Sequence, residues 1–267
     1  MLKAVAVLAA VALGGVFAFG KIERGLVYPF DTTRVAPQDL GLALREEVFE
    51  SGGKRLILWV GEARADKPAV LYFHGNAGNL AARAGRFRHF LDRGYGVVAL
   101  AYRGSSGSEG SPDETKLAYD AGRLLERIGD YAGDAPVVIW GESLGTGVAL
   151  AAVERAGVQP AAMVLEAPYT SVKAVALAAD PRLKPLVEKM ANDWNSLARI
   201  GALRAPLLVI HGTEDEVIPY EMGRQVFAAA PLQIKEFVTV TGGHHSDLWR
   251  SDTLPRLWRF IDRHGTR

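Results

Sequence analysis

The chain contains no cysteine among its 267 residues. Disulfide bonds, catalysis by a thiolate and metal sites built on cysteine are therefore excluded. An excess of one charge is also missing, since 31 basic residues face 30 acidic ones and the formal net charge is +1. This balance gives no indication of a nucleic-acid-binding surface, and no nucleic-acid partner is expected.

Patterns that bind cofactors are equally scarce. The six histidines do not follow a metal-ligand spacing such as H-E-x-x-H, and no phosphate-binding glycine-rich loop is present. We therefore expect neither a metal nor another cofactor. Internal repeats and low-complexity stretches are lacking too, while 49% of the residues are hydrophobic, which is enough for a sizeable core.

One long apolar stretch stands apart at the N-terminus. Residues 4–19 carry no charge over 16 positions, with Lys3 before them and Lys21 and Arg24 after them. As a helix they would reach roughly 24 Å, somewhat short of a hydrocarbon core of about 30 Å. Three interpretations stay open: a retained signal anchor, a cleaved signal peptide, and a buried helix of the globular domain. We expect membrane attachment through residues 1–20, in an orientation that stays open, or else secretion or a periplasmic location after cleavage.

Short apolar strands alternate with segments of helical length in the rest of the chain. An antiparallel hairpin is predicted first, from Leu44 and through residues 55–62. Strands that are apolar throughout and separated by helices indicate an α/β fold, a doubly wound and mostly parallel sheet with helices on both faces. The strands predicted after the hairpin lie at 69–75, 96–104, 135–141, 161–169, 205–212 and 233–240.

Residues 171–204 are the one long departure from this rhythm. They are helical in character and are broken by Pro181 and Pro185. Because the chain then returns directly to a strand, we interpret them as a small cap inserted into a single domain, residues 21–267.

The stretch GESLG, residues 141–145, interrupts an apolar strand, and a helix follows at once. Such a turn can push a serine out of a sheet, and it uses glycine because side chains would clash in the bend. Ser143 is therefore a candidate nucleophile. The backbone N–H of Leu144, at the start of the new helix, can stabilise an oxyanion.

Polar residues follow three other strands at the same predicted edge of the sheet, where functional groups collect. The loop HGNAGN offers the N–H of Asn76 as a second oxyanion donor, and Asp215 and His244 follow the last two strands. A serine hydroxyl becomes a strong nucleophile when a histidine takes its proton, and a carboxylate then fixes the histidine tautomer. The chain order Ser143, Asp215, His244 therefore predicts a catalytic triad.

Together these motifs resemble those of α/β-hydrolases, and more narrowly those of the abhydrolase-domain (ABHD) serine hydrolases, many of which are membrane-anchored. The resemblance runs over residues 26–260 and is carried by LVYPFD, LYFHGNAGN, AYRGSSGSEGSP, WGESLGTG, LEAPYTS, NSLARIGALRAPLLVIHGTEDEVIP and TGGHH. It implies the following roles: Ser143 as nucleophile, Asp215 as acid, His244 as base, and Asn76 and Leu144 as oxyanion donors.

The chain departs from the family pattern beside the base. Asn followed by Asp often comes after the family's histidine, whereas His245, Ser246 and Asp247 follow His244 here. The base could therefore be His245 instead.

The expected activity is hydrolysis of an acyl ester or thioester, with a lipid carrying a single acyl chain as one possible source, through an acyl-enzyme. The alternatives are a peptidase or amidase with the same triad, and an inactive binding protein tethered to a membrane. The expected partners are a small acyl substrate and a membrane surface, and the oligomeric state stays open.

Overall fold

An eight-stranded sheet forms the centre of the molecule, in a computed structural model that describes residues 19–265. In chain order the strands are β1 (Arg45–Ser51), β2 (Lys54–Gly61), β3 (Ala69–Phe73), β4 (Gly96–Leu100), β5 (Val137–Glu142), β6 (Ala162–Glu166), β7 (Leu207–Gly212) and β8 (Lys235–Val240). Across the sheet their order is β1-β2-β4-β3-β5-β6-β7-β8. The β1–β2 and β2–β4 pairs are antiparallel and all other pairs are parallel, which confirms the predicted α/β fold.

Helices cover both faces of the sheet. The described part of α1 comprises residues 19–27. The later helices are α2 (Ala84–Asp92), α3 (Glu114–Glu126), α4 (Gly129–Ala132), α5 (Leu144–Ala156), α6 (Val172–Ala179), α7 (Lys184–Val187), α8 (Ser196–Arg199), α9 (Tyr220–Ala229) and α10 (Leu254–His264). Short 3-10 helices lie at Pro37–Leu40, Ala81–Arg83, Pro181–Leu183 and Ile200–Ala202.

The core consists of two apolar layers, one on each side of the sheet. Along β3, Leu71 and Phe73 belong to the layer covered by α3, α5 and α9, whereas Val70 and Tyr72 belong to the layer covered by α2 and α10. Successive side chains of a strand point to opposite faces, so a strand buried on both faces must be apolar at every position. This explains why AVLYF reads as an unbroken apolar run, with all five residues buried.

The segment between β6 and β7 forms a small helical layer over the carboxyl edge of the sheet. It contains α6, α7, α8 and two of the 3-10 helices. Although α6 has the apolar sequence VKAVALAA, none of its residues is buried. The segment corresponds to the insert 171–204, and α1 lies beside it, since the two share a cavity wall.

Residues 1–18, which include all but the last residue of the apolar stretch 4–19, lie outside the described residues. Within residues 19–265, the helices are all too short or too polar to cross a membrane. The anchor therefore stays a prediction.

Candidate active site

Ser143 occupies a strained turn between β5 and α5. Its backbone has φ 51° and ψ −116°, a left-handed conformation that L-residues adopt at a cost. A Cβ on Gly141 would lie 2.6 Å from the carbonyl oxygen of Gly145, and a Cβ on Gly145 would lie 2.0 Å from the carbonyl oxygen of Phe73. The two glycines are thus required by close backbone approach, and the turn presents the serine at the carboxyl edge of the sheet.

A serine, a histidine and an aspartate form a hydrogen-bonded triad, and its histidine is His245. The Nε2 atom of His245 lies 3.0 Å from Oγ of Ser143, and its Nδ1 lies 2.8 Å from Oδ2 of Asp215. The other oxygen of Asp215 accepts hydrogen bonds from the backbone N–H groups of Val217, at 2.9 Å, and Ile218, at 2.8 Å. The backbone therefore holds one oxygen of the carboxylate, and the other oxygen orients the imidazole.

The structure corrects the prediction that His244 is the base. His244 is 55% exposed, and its Nδ1 lies 3.2 Å from a carboxylate oxygen of Glu216. The turn after β8 is made by Gly242, which has φ +63°, and Gly243, which packs against Gly212 of β7. This tight packing leaves His244 on the outer side of the loop, so the next residue, His245, points to the serine.

The electrostatics of the triad suit general base catalysis. Burial alone would lower the pKa of His245, but the hydrogen bond and charge of Asp215 outweigh burial and raise this pKa above its ordinary value. Burial alone would likewise raise the pKa of Asp215, but hydrogen bonds from His211, His245 and the Ile218 amide hold it well below the usual range. The carboxylate thus stays ionised, and its charge favours the protonated form of the His245 imidazole.

His211 contacts the carboxylate of Asp215 on its buried side. It is fully buried, and its Nε2 lies 3.2 Å from Oδ2 of Asp215 and 3.0 Å from the carbonyl oxygen of Ile218. A Cβ on Gly223 would lie 2.2 Å from its ring, so helix α9 packs tightly against this histidine. His211 therefore positions the carboxylate and does not face the cavity.

The loop after β3 lies beside the serine, as an oxyanion loop would. Asn76 and Leu144 line the same cavity as Ser143. The segment before β1 fixes this loop, because Phe30 forms a β-bridge with Gly78 and a carboxylate oxygen of Asp31 accepts from the side chain of the following residue, Asn79. The two predicted oxyanion donors thus line the cavity beside the serine, and their role stays a prediction.

His74, at the start of the same loop, is a packing residue. Burial lowers the pKa of its imidazole to about 3, so the ring is neutral at ordinary pH. The ring stacks on Tyr102 with centroids 4.1 Å apart, and the Tyr102 hydroxyl donates to the carbonyl oxygen of His74.

An ion pair connects the oxyanion loop to the residue before the nucleophile. The guanidinium of Arg83 donates to both oxygens of Glu142, at 3.0 and 3.2 Å, and also to the carbonyl oxygens of Ala77 and Asn79. The Tyr72 hydroxyl adds a hydrogen bond of 2.6 Å to Glu142. Burial would raise the pKa of the Glu142 carboxyl, but Arg86 and Arg83 hold it well below its usual range. We call the Arg83–Glu142 pair the strut.

A second buried pair lies beside the strut. Arg86 donates to both oxygens of Glu166, at 2.5 and 2.7 Å, and the indole N–H groups of Trp140 and Trp249 donate to Glu166 at 3.0 Å. The backbone carbonyl of Glu166 accepts from the N–H of Ser143 at 2.8 Å. Neither pair was predicted from the sequence. The detectable signal was a charged residue ending the apolar strand AMVLE, since a buried charge needs a partner.

An apolar cavity of about 290 Å³ opens beside Ser143. Helix α1, the helical insert and the loop that carries Asp215 form its walls. Its apolar lining consists of Phe19, Ile22, Leu26, Val27, Leu144, Val172, Val175, Ala176, Leu183, Leu186, Val187, Met190, Val217 and Ile218, and its polar lining of Glu23, Asn76, Ser143 and Tyr169. Within residues 19–265, no group of three or more potential ligand side chains is placed to hold a metal ion.

Known proteins resemble this chain in sequence. A family model for the alpha/beta hydrolase fold matches residues 68–197. The lysophosphatidylserine lipase ABHD12 of Macaca fascicularis is 33% identical over 234 residues, which cover 76% of this chain but only 58% of that protein. An uncharacterized protein of Mycobacterium tuberculosis is 35% identical over 254 residues, covering 92% of this chain and 88% of that protein.

Solved structures share the fold. An esterase from Pyrococcus furiosus superposes with a TM-score of 0.71 at 17% identity, covering 89% of this chain and 96% of the esterase. A soluble variant of the monoglyceride lipase of Saccharomyces cerevisiae superposes with a TM-score of 0.66 at 15% identity, covering 90% of this chain and 99% of the lipase. The sequence matches and the shared fold confirm the resemblance drawn from the motifs: the chain belongs to the α/β-hydrolase family, in its abhydrolase-domain branch.

Proposed function

We propose that this protein hydrolyses the ester bond of a lipid with a single acyl chain, through an acyl-enzyme formed on Ser143. The observation that carries the proposal is the hydrogen-bonded series Ser143–His245–Asp215 at the wall of an apolar cavity. A thioester presents the same carbonyl group to the serine and is a second substrate of the same chemistry.

The reaction has two halves. Oγ of Ser143 attacks the carbonyl carbon while its proton moves to Nε2 of His245, and the backbone N–H groups of Asn76 and Leu144 stabilise the oxyanion. Collapse of this intermediate breaks the bond to the leaving group, which takes the proton from His245. Water then attacks the acyl-enzyme with His245 again as base. The fatty acid is released and the free serine is restored.

The cavity supports an acyl substrate of limited size. All but four of its lining side chains are apolar, so it favours a hydrocarbon chain over a peptide. Its volume of about 290 Å³ lies at the lower end of the usual ligand-site range of about 300–1,000 Å³. The name of the ABHD12 relatives, lysophosphatidylserine lipase, agrees with a substrate that carries one acyl chain.

Covalent labelling tests the nucleophile. A fluorophosphonate probe should label the full chain, and Ser143→Ala should abolish labelling and lower kcat by about 1,000-fold or more, because the members of a triad act as a unit. Ser246→Ala is the matched control, since this exposed serine lies beside the base but outside the triad. Retention of more than about a tenth of the activity by Ser143→Ala, roughly 1.4 kcal/mol of barrier, would place the nucleophile elsewhere.

A further inference from the structure

The mouth of the cavity is surrounded by exposed apolar side chains. Nine large apolar side chains are exposed among residues 19–265, and five of them line this cavity. These five, which we call the collar, are Ile22 (61% exposed), Leu26 (73%), Leu183 (36%), Leu186 (50%) and Val217 (48%).

The collar is built from three separate parts of the chain. Ile22 and Leu26 lie one turn apart on α1, Leu183 and Leu186 lie on the helical insert, and Val217 lies two residues after the triad acid. Single exposed apolar residues are ordinary on a protein surface, but five that line one cavity indicate a binding surface. The other four exposed apolar residues, Val48, Val158, Leu197 and Ile234, do not line the cavity.

The chain outside the structure indicates what covers the collar. Residues 4–18 are uncharged, and Phe19, which follows them directly, already lines the cavity. Ile22 follows residue 18 by only four positions, which is about one helical turn, roughly 6 Å along the helix. Any apolar medium that receives residues 4–18 therefore lies next to the collar.

We propose that the collar inserts into the acyl layer of a lipid bilayer, so that the cavity opens into the membrane and not into water. An acyl chain could then pass from the lipid layer to Ser143 along α1 and the insert without crossing water. This route rests on the proposed function, whereas the contact between collar and bilayer does not.

The surrounding charges are of both signs. The exposed residues Lys184 and Lys189 are close in the chain to Leu186, but so is the exposed Glu188, and the exposed Glu216 precedes Val217. We therefore expect the contact to depend on apolar insertion, and to persist at high salt, where screening removes an attraction between exposed charges and anionic lipid.

The lack of cysteine allows a direct test on the full chain. Leu26→Cys and Leu186→Cys each introduce one thiol in the collar, on two different elements. Ile234→Cys is the matched control, since Ile234 is 51% exposed and lies away from the cavity. Each variant is labelled with a polarity-sensitive nitrobenzoxadiazole dye and reconstituted into phosphatidylcholine vesicles, with or without lipids that carry a nitroxide on the acyl chain.

We expect both collar labels to emit at shorter wavelength than the label at 234, and to be quenched several-fold more by the nitroxide lipids, at low and at high salt. Three results would overturn the proposal. If the dye at both collar positions emits at the wavelength typical of an aqueous environment, the collar is not covered. A blue shift without quenching would show that residues 1–18 or a second copy of the chain covers it. Equal quenching at all three positions would show adsorption without a preferred face.

Failure of the docking proposal and failure of the proposed function can be told apart. Fluorophosphonate labelling of the unmodified chain in the same vesicles reports on Ser143 alone. Selective quenching of the collar labels without labelling of Ser143 would support the docking surface and reject the enzyme. Labelling of Ser143 without quenching would support the enzyme and reject the docking surface.

Discussion

Two adjacent histidines after β8 have different surroundings, and single substitutions should separate them. His245→Ala removes the group that bonds both Ser143 and Asp215, so kcat/KM for a short p-nitrophenyl ester should fall by about 1,000-fold or more. His244→Ala removes a 55% exposed side chain and should change this constant by less than about threefold. The opposite ranking would show that the loop after Gly243 adopts a different register in solution.

The titration of His245 sets the acid limb of the rate profile. Only neutral His245 can accept the serine proton, so kcat/KM should fall as the pH decreases through the pKa of His245, which Asp215 raises above its ordinary value. Asp215→Asn removes the charge that stabilises the imidazolium, so the residual activity should have its acid limb at lower pH. Measurement of kcat/KM between about pH 5 and 9 checks both statements. An acid limb that does not move in Asp215→Asn would assign the limb to another group.

At the scale of elements, the strut connects the loop after β3 with the turn after β5. Arg83→Met leaves Glu142 buried without its bidentate partner, which should lower the free energy of unfolding by about 3–5 kcal/mol. The double variant Arg83→Met/Glu142→Leu removes both charges and should recover much of this loss. If the strut also positions the oxyanion donors, the double variant should keep a lowered kcat with little change in KM, since an interaction specific to the transition state is lost.

Thermal or urea unfolding together with steady-state kinetics on one soluble ester gives both readouts. A double variant with wild-type kcat would show that the strut stabilises the fold but does not position the oxyanion donors. Arg83→Lys is a useful comparison, because a lysine retains the charge but not the bidentate geometry, so it should recover stability better than kcat.

Features that depend on nearby residues could be predicted from the sequence, and features that depend on distant packing could not. The strand AVLYF and the turn GESLG follow from local demands, namely burial on both faces and the steric limits at Gly141 and Gly145. The register of the base depends instead on Gly243 packing against Gly212, which lies 31 positions earlier in the chain. No local pattern distinguishes His244 from His245.

The cavity wall shows the same limitation over a longer distance. The carboxylate of Glu23, on α1, accepts hydrogen bonds from the backbone and side-chain N–H groups of Asn192, each at 2.7 Å, across 169 positions of the chain. The Tyr28 hydroxyl donates to the side-chain oxygen of the same asparagine at 2.7 Å. The sequence indicated a helical insert but gave no sign that α1 lies opposite to it.

At the scale of the whole molecule, the parallel sheet brings distant segments to one edge. Four connections meet there: the loop after β3, the turn after β5 and the loops after β7 and β8. The insert after β6 and helix α1 together cover the same edge. Groups at the carboxyl ends of neighbouring parallel strands share one side of the sheet, so the triad is assembled without any of its members being close in sequence.

The size of this covering layer determines which lipids we expect to be hydrolysed. The insert has only short helices, of which α6 is the longest with eight residues, and the cavity beneath it holds about 290 Å³. One acyl chain can occupy such a space beside Ser143, whereas a triglyceride would leave two more chains outside the walls. The full chain should therefore hydrolyse medium-chain single-acyl esters and lysophospholipids at a kcat/KM at least about tenfold above that for emulsified long-chain triglyceride, a difference of about 1.4 kcal/mol. Release of fatty acid from each substrate, presented in the same mixed micelles, measures this ratio, with Ser143→Ala as the blank. A preference for triglyceride that increases at an oil–water interface would mean that the insert moves away from α1 to admit a far larger substrate.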